Sequence, residues 1–359
     1  MLFAIYILIL LTLSIVSFAD VKLGKINITR SLNKILLIVA VAFTLYLYYW
    51  SINAIDSANY QASFGHVGTL RFTTDIFYFG FVAIIKRIGG NYQVLRLFIG
   101  VFYLFPILWI ANRKKDNINL PLFLLLSLLF PFFQNMVALK NTMAATIIVF
   151  AFWIYFNSKK LLAVGTTYAL LLVASLFHDS AIIYVLIFSL MLLMRKIADL
   201  RRSYCLLFGV VVIMVVVIRS GIASNLLSRM AGETNQSYIS RIGDISYGFL
   251  IITMLQLLVF AFFYKEVRNQ EIENGPNELN NSIMLLLYST IILIPLYSIN
   301  VLFFRLFRNI MVFGYLICSN KNSRNRRSVL FLVLLLIILM LYDANGIGTI
   351  QSILLDTLK

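Results

Sequence analysis

Long apolar runs, each closed by a short charged gap, constrain the fold of this chain more than any other feature. Stretches such as 120–133, 206–218 and 329–341 hold almost nothing but Leu, Ile, Val, Phe and Met. Of its 359 residues, 61% are hydrophobic and 12% charged, where a soluble domain carries about 25% charged residues. A chain this apolar has nowhere to hide its side chains from water, whereas in lipid an α-helix satisfies its own backbone and about 20 residues cross the hydrocarbon. The alternating segments of about ten residues that a membrane β-barrel needs are absent. The expected class is all-α: a polytopic integral membrane protein built as one transmembrane domain over 1–359.

The gaps fall into two kinds. One is dense in Lys and Arg: Lys22 to Lys34, Arg113-Lys114-Lys115, Lys159-Lys160, Arg195 to Arg202 and Arg324 to Arg327. The other carries isolated cations among Asp, His, Tyr and Asn: Asp56, Arg71, Lys140, His178, Arg305 and Arg308. The positive-inside rule makes the first set cytoplasmic and accounts for the net charge of +16 without nucleic acid. The apolar runs predict about twelve spans, near 2–19, 34–51, 92–111, 118–133, 141–157, 161–177, 180–194, 204–219, 247–264, 282–298, 305–318 and 329–342. Residues 1–19 lack a positive n-region and are expected as the first span rather than a signal peptide. The stretch 76–88 is expected as an interfacial or re-entrant helix. The loops 20–34, 112–117, 158–160, 195–203, 265–281 and 319–328 then lie inside, and the long loops 52–91 and 220–246 outside, with both termini.

This arrangement puts 19 of the 30 Lys/Arg inside, nine of them Arg; of the 11 left outside, eight are Arg. An arginine fork suits phosphate where a lysine offers a point charge, so outward arginines suggest an anionic substrate. Cys205 and Cys318 both lie in apolar runs and are expected as buried side chains. No metal, nucleotide or dinucleotide motif is present, and neither metal nor cofactor is expected. The outward candidates are Asp56, Tyr60, His66, Arg71 and Asp75; Lys140 with Asn141; His178 with Asp179; and Arg305 with Arg308, three apart on one helical face. Lys140 opens a helix, where a cation opposes the macrodipole, so an anion is expected beside it.

The turn Leu-Leu-Val-Ala-Ser-Leu-Phe-His178-Asp-Ser-Ala-Ile, after a helix opened by Lys140-Asn141-Thr142-Met-Ala-Ala, resembles the EpsG-type exopolysaccharide polymerases, relatives of the Wzy O-antigen polymerases. Asp56-Ser-Ala-Asn-Tyr60 resembles that family's Asp-x-x-x-Tyr, and Asp75-Ile-Phe-Tyr its Glu-Pro-x-Tyr/Phe. Arg305-x-x-Arg308 with Tyr315 is similar to its C-terminal arginine helix. Lys140-Asn141 stands where the family has Arg-Gln, Asp75 where Glu is usual, and the Gly-Thr before the family's Asp is missing before Asp56.

The resemblance implies a GT-C-like helical bundle at the cytoplasmic membrane, working on its outer face. Its substrate would be an undecaprenyl-diphosphate-linked oligosaccharide and a partner would be a chain-length regulator protein. It implies His178 and Asp56 as catalytic residues, and Arg71, Lys140, Asn141, Arg305, Arg308, Tyr60 and Asp75 as substrate contacts. Two other functions fit the same residues: a flippase of lipid-linked oligosaccharides, and an O-antigen-ligase-like glycan transferase or membrane acyltransferase. A flippase predicts cations on both sides of the midplane and helices broken by Gly or Pro.

Overall fold

The computed structural model describes residues 2–23, 26–51, 56–66, 75–114, 117–158, 160–196, 247–297, 303–321 and 326–342, with a few single positions near 209–216 and 350–354. Among the described residues the regular structure is all helical, apart from one isolated antiparallel bridge between Ile118 and Asn320. Among the described residues five helices are long and apolar enough to cross a membrane, and the chain is a multi-span α-helical membrane protein.

In chain order the helices are α1 (Leu2–Leu23), α2 (Ile26–Trp50), α3 (Ser57–His66), α4 (Ile76–Arg87), α5 (Tyr92–Arg113), α6 (Leu120–Leu129), α7 (Phe132–Val137), α8 (Leu139–Ser158) and α9 (Leu161–Phe177). A 3-10 turn (Asp179–Ile182) leads into α10 (Ile183–Lys196). Then come α11 (Tyr247–Asn274), α12 (Glu278–Ser289), a 3-10 turn (Thr290–Leu293) with α13 (Ile294–Tyr297), α14 (Phe304–Arg308), α15 (Met311–Cys318) and α16 (Arg326–Tyr342). The α8 helix is central and packs against α5, α9 and α12, while α6 is enclosed by α1, α2, α15 and α16. Helices in lipid gain little from burying apolar surface, so close backbone approach does more of the work. At Gly100 an added Cβ would lie 2.8 Å from the Tyr48 ring, and at Gly314 2.2 Å from that of Phe263, so α5 sits on α2 and α15 on α11 at a distance only glycine allows.

Several expectations need correction. The expected span 118–133 is two helices, α6 and α7, parted at Phe130-Pro131; Pro131 lacks the N–H that would continue the helix. The expected span 305–318 is likewise broken, at Asn309-Ile310, and 282–298 passes through a 3-10 turn before α13. The expected outer loop 52–91 contains α3 and α4, with 76–87 the short helix anticipated there. Most of the expected cytoplasmic loop 265–281 is helix, because Lys265 to Asn274 simply carry α11 onward. The expected span 204–219 lies mostly, and the loop 220–246 wholly, outside the described residues.

The break after α6 frees carbonyls inside the bundle, and each must find a donor. Tyr103 OH donates to Ser127 O (3.3 Å), Tyr6 OH to Leu128 O (3.0 Å) and Tyr315 OH to Phe130 O (2.6 Å). Tyrosines from α5, α1 and α15 thus cap a buried helix end.

The two kinds of charged gap lie at opposite ends of the helices. At one end the α5–α6 and α15–α16 connections pair, with Asn119 N donating to Ser319 O (2.6 Å) and Lys321 N to Asn117 O (3.0 Å). There Arg195 donates to Tyr155 OH (2.7 Å) and pairs with Glu278 (3.3 Å). Gln270 accepts from Asn280 (2.9 Å) and Asn320 (3.1 Å), and Asn119 donates to Ser17 O in α1 (2.9 Å). Apart from Gln270, Glu278 and Asn280, which belong to the 265–281 connection, these residues sit in or beside the dense Lys/Arg gaps. The isolated cations among the described residues, Lys140, Arg305 and Arg308, gather with His178 at the other end.

Candidate active site

Three elements meet at Asp75. It precedes α4, Lys140 lies in the first turn of α8, and His178 follows the last turn of α9. Lys140 Nζ lies 2.8 Å from Asp75 Oδ2. His178 Nδ1 lies 3.6 Å from Asp75 Oδ1, and the Asp179 backbone N–H donates to the same oxygen at 3.3 Å. The expected anion beside Lys140 is therefore a carboxylate of the protein. Lys140 also sits over the Phe79 ring, 4.4 Å from its centroid, and 5.4 Å from that of Tyr78. Burial alone would raise the Asp75 carboxyl, but the approach of His178 and the hydrogen bond and charge of Lys140 more than offset it, leaving the group below the ordinary carboxylate value. Asp179 is shifted the other way, by burial and by the negative charge of Asp75.

A second group lies alongside. Asp56 precedes α3, and burial raises its carboxyl although the charge of Arg305 opposes this. The Tyr60 hydroxyl is within electrostatic reach of both Asp56 and Arg305, and its ring packs edge-on against Tyr78 at 5.9 Å. Tyr60 thus joins the Asp56–Arg305 pair to the Asp75 cluster.

The two residues opening α8 face different ways. Lys140 binds Asp75, while Asn141 makes a reciprocal amide pair with Asn309, 2.9 Å one way and 3.1 Å the other. Asn309 ends α14, next to Arg308. Arg308 is buried and, with Asn309, Tyr315, Asn135, Thr142 and Tyr103, lines a cavity of about 40 Å³ at the level of both helix breaks. Arg305 is half-buried, and its charge acts on Asp56 and Tyr60. Tyr184 OH donates to Leu306 O, fixing α10 against this segment.

Over residues 34–354 the sequence matches the family model described as the EpsG family. The chain belongs to the EpsG family. No curated protein and no solved structure matches it.

Of the site residues expected from sequence, the structure brings Asp75, Lys140 and His178 into direct contact and sets Asp56, Tyr60 and Arg305 beside them. Asn141 and Arg308 are linked to that cluster through Asn309. Arg71 lies outside the described residues. No three His, Cys, Asp or Glu side chains among the described residues are grouped to hold a metal ion.

Sequence reasoning missed Arg96. It is wholly buried in α5, and its Nε donates to Tyr48 O (2.8 Å), Nη1 to Ser57 Oγ (3.2 Å) and Nη2 to Met136 O (3.3 Å). Tyr48 and Met136 lie in the last turns of α2 and α7, where the carbonyls are orphaned and the macrodipole is negative. Two helix ends therefore receive this cation in place of a carboxylate, and Arg96 ties α2, α3 and α7 beneath the site. The signal was a lone cation within an apolar span.

Proposed function

We propose that this EpsG-family protein is a polysaccharide polymerase, joining oligosaccharide repeat units carried on a lipid diphosphate at the outer face of the cytoplasmic membrane. The observation that carries this reading is the convergence of His178 with Asp75, Lys140, Asp56 and Arg305 at the helix ends opposite the basic loops. A lipid-borne donor accounts for a charged site enclosed by membrane helices, and a diphosphate for the arginines.

The terminal hydroxyl of one unit attacks the anomeric carbon of the glycan on another, forming a new glycosidic C–O bond. The bond from that carbon to the diphosphate oxygen breaks, and the diphosphate leaves with the electron pair. Arg305 and Arg308 offset the charge that develops on it, and Arg308 leads into the site through the Asn309–Asn141 pair. His178 Nε2 takes the hydroxyl proton. Tyr60, which is partly exposed, offers a ring face to the sugar.

The test is purified protein in proteoliposomes supplied with lipid-linked repeat units. Chain extension with release of lipid diphosphate supports the polymerase. The broken helices α6–α7 and α14–α15, with Arg308 in a cavity between them, are a feature transporters share. Movement of labelled lipid across the bilayer without extension would turn the assignment to a flippase, and transfer only to a non-repeat acceptor would turn it to a ligase. Orientation is read with cysteines introduced in a background lacking Cys205 and Cys318. Ala62→Cys should react with an impermeant reagent from outside and Ser158→Cys should not.

A further inference from the structure

Asp75 departs twice from what its position prefers. Its backbone is left-handed (φ 54°, ψ 37°), the only non-glycine with positive φ among the described residues, a conformation costing of order 1 kcal/mol that persists only where the surroundings enforce it. It also precedes a helix, where an Asp side chain ordinarily accepts from the first-turn N–H groups, yet it makes no such cap. Both carboxylate oxygens turn away from α4: Oδ2 to Lys140, Oδ1 to the Asp179 N–H and toward His178 Nδ1. His178 Nδ1 is itself buried, with no hydrogen bond closer than this 3.6 Å approach. A catalytic hydrogen bond is often long in the empty state and tightens when substrate binds.

We propose that Asp75 is a positioning residue, holding His178 as the tautomer protonated at Nδ1 so that Nε2 is left bare toward the sugar hydroxyl. Lys140 and the Asp179 N–H pin the carboxylate, so it orients the ring rather than taking the proton. When Nε2 accepts the hydroxyl proton, Nδ1 keeps its own, and the imidazolium faces a carboxylate that stays ionised. The charged groups around the His178 ring are Asp75 ahead of α4, Lys140 from α8 and Asp179 from the turn after α9. The same logic sets ring orientation wherever one imidazole nitrogen is anchored and the other works.

The tautomer claim stands on geometry, and its catalytic consequence rests on the polymerase reading. The chain has two histidines, so in His66→Gln protein labelled with ¹⁵N-histidine and held in bilayers, the imidazole resonances belong to His178. The expected result at neutral pH is a protonated Nδ1 and a bare Nε2, with this preference lost in Asp75→Asn and kept in Asp75→Glu. In the polymerisation assay Asp75→Asn should lower kcat by at least about tenfold with little change in KM, and Asp75→Glu should recover part of it. A proton on Nε2 in otherwise unaltered protein overturns the proposal without recourse to any Asp75 variant. An unchanged tautomer in Asp75→Asn overturns it as well. The expected tautomers in a protein that extends no lipid-linked glycan would uphold the positioning role while removing the polymerase reading.

Discussion

The two ends of this molecule handle polar groups in opposite ways. At the end with the basic loops, neutral amides satisfy one another: Gln270 donates to Ile317 O (2.9 Å) and to Glu266 (3.3 Å) and accepts from Asn280 and Asn320. One carboxylate, Glu266, is buried among these amides, but the ion pair there stands at the surface, with the Arg195 side chain 38% and that of Glu278 75% exposed. At the other end the charges are inside. Asp75 is 11%, His178 18% and Lys140 23% exposed, and Asp75 holds a strained backbone to reach them. Buried charge is costly unless paired, and strain persists where the surrounding structure enforces it. On the proposed function the first end holds helices together and the Asp75 cluster at the second acts on a ligand, so damage should register as lost stability at the first and as lost rate within that cluster.

The largest effect expected is His178→Gln. Glutamine keeps a donor and an acceptor but takes up no proton at neutral pH, so polymerisation should fall roughly 10²–10⁴-fold while thermal unfolding in detergent stays close to that of the parent. Parent rates in this variant would remove His178 as the base and leave Asp56, whose raised carboxyl then becomes the candidate.

Arg96→Met sharpens the contrast from the same end. Its side chain touches carbonyls and hydroxyls of the bundle, not the Asp75 cluster, and methionine leaves the C-terminal carbonyls of α2 and α7 without donors. A loss of about 2–4 kcal/mol of stability is expected, seen as a lowered Tm and reduced folded yield. The folded fraction should retain most of its rate.

Gln270→Ala tests the opposite end directly. It strips partners from Asn280, Asn320 and Ile317 O at once, and about 1–3 kcal/mol of stability should be lost. Polymerisation per folded molecule should not change; a selective loss of rate would break the division between the ends.

How far these features were legible in sequence follows the range of the interactions. The class and the sorting of charged gaps were readable, because hydropathy and local charge need no knowledge of partners. Asp75 and Lys140 are 65 residues apart and Asp75 and Asp179 are 104 apart, so only the misplaced cation at the start of α8 hinted at their meeting. The break at Pro131 was signalled by the proline and by a span too short to cross. That at Asn309 was signalled only by its length. Lys265 to Asn274 looked like a loop because polarity was weighed above helix propensity, although Lys, Glu, Arg and Gln are good helix formers. Arg96 was passed over because the apolar run around it fixed α5 as a span and drew no attention to the cation inside.

The carboxylates at the site end should separate on acidification. Asp75 titrates below its ordinary value of 3.8 and Asp56 above its own. Stability from a depressed carboxyl is fully present above the unfolded value and lost as pH falls through the folded one. The Asp75–Lys140–His178 contact should therefore be intact at pH 5 and weaken only below about 3.8. Ionised Asp56 has the opposite sign, so Asp56→Asn should leave stability at pH 7 unchanged or slightly raised. Thermal melts of Asp75→Asn and Asp56→Asn against pH give both results, and a loss of the Asp75 contribution already between pH 7 and 5 would contradict the depressed carboxyl.

The smallest effect belongs to the Arg195–Glu278 pair. At 3.3 Å it has the geometry of a salt bridge, but with Glu278 three-quarters exposed it is screened by water and salt and costs side-chain freedom to hold. Exposed pairs of this kind contribute about 0–1 kcal/mol. Arg195 also donates to the buried Tyr155 hydroxyl at 2.7 Å, a bond that survives when only the glutamate is changed. Glu278→Ala should therefore shift Tm within measurement error, and Arg195→Ala should cost more than Glu278→Ala by the value of the tyrosine bond, about 1 kcal/mol. Equal losses in the two variants would mean that the ion pair, not the buried hydroxyl, anchors α10 at this end.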